Sequence, residues 1–114
     1  MSDMMFVLAS QALDITAPTV PSGVSVTAQN GSNALSWTAS TDTGGSGVSH
    51  YEIWGGNSWS HSNQFLLATI TDTLWGDFGY SPNVRRYYYV KAVDNAGNIS
   101  GDSSTVSVIN TSPP

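Results

Sequence analysis

The sequence predicts an all-β domain, an antiparallel sandwich or barrel of about seven short strands, on three observations. Apolar side chains recur at every second position in several short runs, those runs are separated by clusters of Gly, Asn, Asp and Pro, and 114 residues leave room for one core only. The clearest run is Tyr87 to Ala92, in which Tyr88, Val90 and Ala92 fall on one face and Tyr87, Tyr89 and Lys91 on the other. Asp94, Asn95, Gly97 and Asn98 follow it. These residues tolerate left-handed backbone or bond their own main chain, so the strand must stop there and reverse onto Thr105 to Ile109.

Taken in order, residues 1 to 16 carry apolar positions on both parities and lack strand periodicity. Met5, Leu8, Ala9, Ala12 and Leu13 share a helical face, but about three turns of isolated helix are marginal. The segment reads either as a leader or as a docking segment. In the second case it becomes ordered against a partner, as a short helix or an added strand, through Met4, Met5, Phe6, Val7, Leu8 and Leu13. The apolar run is short and has no basic residue before it, which argues against a signal peptide. No stretch approaches the roughly 20 apolar residues of a membrane span.

Residues 17 to 21, Ala17-Pro18-Thr19-Val20-Pro21, form a linker, because its two prolines favour extended backbone and stop any helix. The β-domain itself is expected over residues 22 to 110, with a tail from 111 to 114. Val24 and Val26 alternate with Ser25 and Thr27 in a first strand that Asn30-Gly31-Ser32 ends. Leu35 and Trp37 continue the pattern in a second strand, and Trp37, flanked by small polar residues, is the expected anchor of the core. Thr41 to Gly47 is a loop. Val48 to Trp54 alternates again, Tyr51 and Ile53 against His50, Glu52 and Trp54, until Gly55-Gly56-Asn57 breaks it. A polar loop through Trp59 and His61 leads to a more continuously apolar strand, Phe65 to Ile70. Thr73 to Asp77 is the next short strand, and Tyr80-Ser81-Pro82-Asn83 turns the chain back toward Tyr87.

The stretches LSWTASTDTGGSGVSHYEIW and YYYVKAVDNAGNIS resemble the fibronectin type III family, in the form found in bacterial surface proteins, secreted glycosidases and phage virion proteins. The resemblance covers about residues 18 to 110. It implies a seven-stranded antiparallel β-sandwich, two sheets of immunoglobulin-like kind, with Trp37 on the second strand, Tyr51 and Ile53 on the third, and Tyr88, Val90 and Ala92 on the sixth, all in the core. One position departs from it. The family usually has a tyrosine where Arg86 stands, six places before Ala92, so either a bulge shifts the register or the corner bond made by that hydroxyl is absent.

Composition narrows function by exclusion. Three basic residues against eight acidic ones, a net charge of -5, leave no basic stripe for nucleic acid. There is no cysteine, hence no disulfide framework, thiolate metal site or cysteine nucleophile. His50 and His61 have no partner at zinc-ligand spacing, no serine sits in a GxSxG context, and turn formation accounts for Asp42, Asp94, Asn95 and Asn98 without calcium. No catalytic residue, metal or cofactor is expected, and the resembled family is chiefly non-catalytic. A sandwich of this kind needs one core tryptophan, so Trp54, Trp59 and Trp75 are candidate ligand or interface aromatics. Asn30, Asn98 and Asn110 fit the N-glycosylation pattern.

The leading expectation is a structural or interaction module at an extracellular surface or in a virion, docking by residues 1 to 16 onto other copies of itself or another assembly subunit. A phage decoration or tail component and a filament subunit are the forms considered. The alternatives are a carbohydrate-binding or adhesion module using Trp54 and Trp59, with glycans as partner, and a spacer domain of a secreted enzyme.

Overall fold

The structure, a computed structural model, describes residues 14 to 114. Seven strands follow one another along it: β1 (Ser22–Gln29), β2 (Ser32–Thr38), β3 (Val48–Gly56), β4 (Phe65–Ile70), β5 (Leu74–Asp77), β6 (Arg85–Asp94) and β7 (Val106–Ile109). A 3-10 turn, His61–Asn63, lies between β3 and β4. The strands form two sheets, three strands in the order β1-β2-β5 and four in the order β4-β3-β6-β7, and every pairing is antiparallel. Residues 1 to 13, which include Met4, Met5, Phe6, Val7, Leu8 and Leu13, lie outside the described residues.

Period-two alternation builds the core. Leu35 and Trp37 from β2 face Tyr51 and Ile53 from β3 and Tyr88, Val90 and Ala92 from β6, all buried in one cluster. Val24, Val26, Trp75, Leu67, Val106 and Val108 pack around its margin. The Trp37 ring meets Tyr51 edge-on at 5.5 Å, and the Tyr51 hydroxyl accepts the Ser40 N–H, which ties the exit from β2 to the core.

Three boundaries differ from the sequence expectation. β3 does not break at Gly55 but runs through Gly56. A side chain at Gly55 would sit 2.7 Å from the Tyr87 carbonyl and 2.9 Å from the Tyr88 ring, so glycine lets the strand lie flat against β6. β5 starts at Leu74 and β7 at Val106, each one residue late. Before β7, buried Ser100 and Ser103 stand in for a strand, each taking one β6 N–H on its hydroxyl and giving its own N–H to the same residue's carbonyl. β4 reads as apolar but is an edge strand with Phe65 and Leu66 exposed, because a bulge between Ile53 and Trp54 leaves Leu67, Ala68 and Ile70 to meet the core.

The chain enters and leaves at opposite ends. Residues 14 to 19 lie against the β2–β3 loop and the end of β6, where Thr19 N–H donates to the Thr41 carbonyl and the Thr41 N–H to the Thr19 hydroxyl. Ser112 lies at the other end, where its carbonyl accepts the buried Tyr80 hydroxyl. β1 spans the distance between them, about 25 Å at roughly 3.3 Å per residue.

Candidate functional site

The outward face of the four-stranded sheet carries the molecule's aromatic surplus. β6 presents Tyr87, Tyr89 and Lys91 there, and Trp54 and Glu52 stand beside them on β3, with Trp54 paired to Tyr89 and Glu52 to Lys91. Trp54 and Tyr89 are stacked, 6.1 Å apart with planes 8° from parallel, and the Lys91 ammonium lies 5.3 Å from the Trp54 centroid. The Trp54 indole N–H donates to Glu52. His61 also stacks on Tyr89, at 3.9 Å, held by Asp102 on Nδ1 at 2.6 Å and Thr105 on Nε2 at 2.7 Å. Asp102 also reaches Lys91. Burial, reinforced by the charges of Asp102 and Glu52, pushes the Tyr89 phenol above its ordinary range.

Trp59 stands apart from this stack. Its ring meets Tyr87 edge-on at 5.7 Å and is 66% exposed. Trp75 is not part of the face at all: it lies on β5 of the other sheet, packs against the core, and borders an open groove of about 640 Å³ between the β4 and β5 edges, with His50 and Asp72.

The exit end is closed by a polar plug. At the inward positions nearest that end stand Asn33, Asp77, Arg86 and Asn110. The Arg86 guanidinium donates to Asp77 at 2.8 Å, the Tyr88 hydroxyl also donates to Asp77, and Asn33 donates to the Tyr88 oxygen at 2.8 Å. The Asn110 amide reaches the Gln29 and Ser32 carbonyls and Asn33. Burial first, and the Asp77 carboxylate second, raise the Tyr88 phenol well above its ordinary range. The departure at Arg86 is thereby explained: β6 pairs with β7 without a shift there, and an ion pair between half-buried Arg86 and buried Asp77 occupies the place of the expected tyrosine. The same plug bears on modification, because the nitrogen of Asn110 to which a glycan attaches is spent in buried bonds, whereas Asn30 is exposed in the β1–β2 turn.

At the opposite end Asp14, Asp42 and Asp94 bring carboxylate oxygens within 4.8 Å of one another. Their oxygens take protein donors: Asp14 the Ser46 and Thr16 N–H, Asp42 the Gly47 N–H, and Asp94 the Ala96 and Asn98 N–H and the Asn98 amide. The bonds from Ser46 hold the Asp14 carboxyl below its usual value. The cluster fastens residue 14 to the loops.

The sequence alternation already set Trp54 and Tyr89 on outward positions; their pairing across β3 and β6 was readable only with register. His61, Asp102 and Thr105 were missed as a unit, being joined across a loop of unpatterned polar sequence. Among the described residues, no helix is long and apolar enough to cross a membrane.

Antiparallel sheets of three and four strands closed over a Trp37-centred core define a β-sandwich module of the immunoglobulin-like class. No protein-family model matches the chain. In sequence it is 39% identical over 101 residues to exoglucanase B of Cellulomonas fimi, covering 88% of this chain and 9% of that enzyme. It is 40% identical over 96 residues to chitinase A1 of Niallia circulans, covering 83% of this chain and 12% of that enzyme. A crystal structure of a Fn3-like protein from Clostridium thermocellum superposes with a TM-score of 0.68 at 26% identity, over 81% of this chain and 92% of that one. The chain belongs to the fibronectin type III family, as a non-catalytic module of the bacterial type. It spans about a tenth of the length of these enzyme relatives.

Proposed function

We propose that this domain is an extracellular spacer module of a polysaccharide-acting enzyme, setting the distance between neighbouring domains. The observation that carries it is the match of 88% of this chain to a segment making up 9% of an exoglucanase. The fold suits the role. The chain enters at one end of the sandwich, fastened by Asp14 and Thr19, and leaves at the other, fastened by Tyr80 and the Ser112 carbonyl. Both exits are pinned to the body of the domain, so a flanking domain at either end is held at a set separation instead of on a loose tether. The assembly-subunit reading, virion or filament, rests on residues 1 to 16, most of which lie outside the described residues, and the enzyme relatives favour the spacer.

The test is the covalent context of the domain in the cells that make it. An antibody against residues 22 to 110 should find, in the culture medium, a polypeptide whose peptide map includes a polysaccharide-degrading domain. Recovery only inside cells, as a species no longer than this chain, overturns the proposal.

A further inference from the structure

We infer that Trp59 is a stacking platform for one pyranose ring of a polysaccharide chain, so that the module touches substrate as well as separating domains. Exposed apolar side chains scattered singly need no explanation. Trp59 is different because the chain on both sides of it is fixed. Buried Gln64 donates its amide to the Ser58 carbonyl at 2.8 Å, and the Ser60 N–H returns to the Ser58 hydroxyl. The 3-10 turn follows at once, and its His61 is clamped by Asp102 and Thr105 and stacked on Tyr89. An indole 66% exposed is thus held at a set height and orientation, with its edge-on contact to Tyr87 fixing the ring from below. Order that does not serve the core lowers the cost of binding something outside it.

The surroundings choose the ligand. Trp54 is engaged by Tyr89, Lys91 and Glu52, and exposed Leu66 lies across from it on β4, whereas Trp59 stands beyond that stack on the loop, touching only Tyr87 among the rings of the face. A protein interface needs about 800 Å² per partner around a buried apolar centre, far more than one indole offers. The hydroxyls of Ser58, Ser60 and Ser62 flank it in sequence; Ser60 and Ser62 are exposed and bonded to each other at 2.8 Å, Ser58 takes the Ser60 N–H, and each hydroxyl keeps capacity for a further bond. One aromatic face with a hydroxyl fringe matches a pyranose, which has an apolar C–H face and a rim of hydroxyls. The inference borrows from the spacer reading only the choice of polysaccharides as probes.

The experiment is co-sedimentation of the full 114-residue chain with microcrystalline cellulose, with chitin and with granular starch, alongside Trp59→Ala and Trp54→Ala. Binding to at least one of the three should weaken about tenfold in Trp59→Ala, as expected for loss of a stacking contact, with an unchanged thermal melt. Trp54→Ala should bind within about threefold of the parent, since its ring is covered by Tyr89 and Lys91. Failure to sediment with any of the three, or binding that Trp59→Ala leaves intact, overturns the inference. Neither result touches the spacer proposal, which stands on covalent context.

Discussion

Tyr88 and Tyr89 are neighbours on β6, and both are almost wholly buried, at 0% and 4% exposure, yet by different means. Tyr88 points inward, where two sheets enclose its ring and Asp77 and Asn33 engage its hydroxyl. Tyr89 points outward, where it is covered by the rings of Trp54 and His61. The first burial is made by the fold as a whole and the second by side chains, one of them from a loop. Equal exposure therefore conceals unequal energetics: to uncover Tyr88 the sandwich must open, whereas to uncover Tyr89 only the loop need move.

The most direct way to break this comparison is to truncate both residues. Tyr88→Ala should destabilise by about 3–5 kcal/mol, the cost of a large core cavity together with stranded Asp77 and Asn33. Tyr89→Ala should cost only about 1–2 kcal/mol, mostly lost stacking and partial apolar burial, because Trp54 and His61 can settle into the gap. Urea unfolding of the two variants measures the difference, and equal losses would mean that the outward stack belongs to the core.

Alkaline titration sharpens the comparison at the level of the phenols. The folded pKa of Tyr88 is raised above its unfolded value of 10.0, so the unfolded chain releases this proton first. Its stabilisation is complete below pH 10.0 and declines as the pH rises past that value, by up to about 1.4 kcal/mol per pH unit. Tyr89 shifts in the same direction through burial and the nearby carboxylates. Unfolding free energies measured from pH 9 to pH 12 should therefore fall most steeply in the parent protein. The fall should flatten substantially in Tyr88→Phe and only slightly in Tyr89→Phe; a reversed order would show that the stack shields its phenol better than the core does.

Sequence alternation made the inward half of this strand legible. Tyr88, Val90 and Ala92 could be placed beside Trp37, Tyr51 and Ile53 because period two and turn chemistry are local properties. Gly55-Gly56 was misread for the same reason: a glycine pair is a break by local rules, and only the Tyr87 carbonyl and Tyr88 ring lying against it show why the strand goes on. The polar plug was hidden more deeply. Asp77 and Arg86 look like surface charges, and their withdrawal from solvent follows from inward parity at the end of β5 and the start of β6, strands of different sheets. The outward stack was half visible, since Trp54 and Tyr89 share the solvent parity. His61 reaches them through a loop whose sequence has no period to read.

His61→Ala addresses that loop and carries the smallest energetic effect. The substitution removes a ring stacked at 3.9 Å and side-chain bonds to Asp102 and Thr105, but the His61–Asp102 contact is about one-third exposed and weakened by water. A loss of about 1 kcal/mol is expected on those grounds. Its distribution is more telling than its size. If the outward stack is built by side chains, the variant should speed amide hydrogen exchange at Ser60 and His61 and leave the exchange of Val90 and Ala92 at the rate set by global unfolding. Those two amides are held by the buried hydroxyls of Ser103 and Ser100, whose positions do not depend on the loop. Faster exchange at Val90 beyond the change in global stability would tie the stack to the core and erase the distinction between the two tyrosines. Exchange confined to the loop would confirm it, and would identify His61 as the residue that keeps Trp59 at its set height.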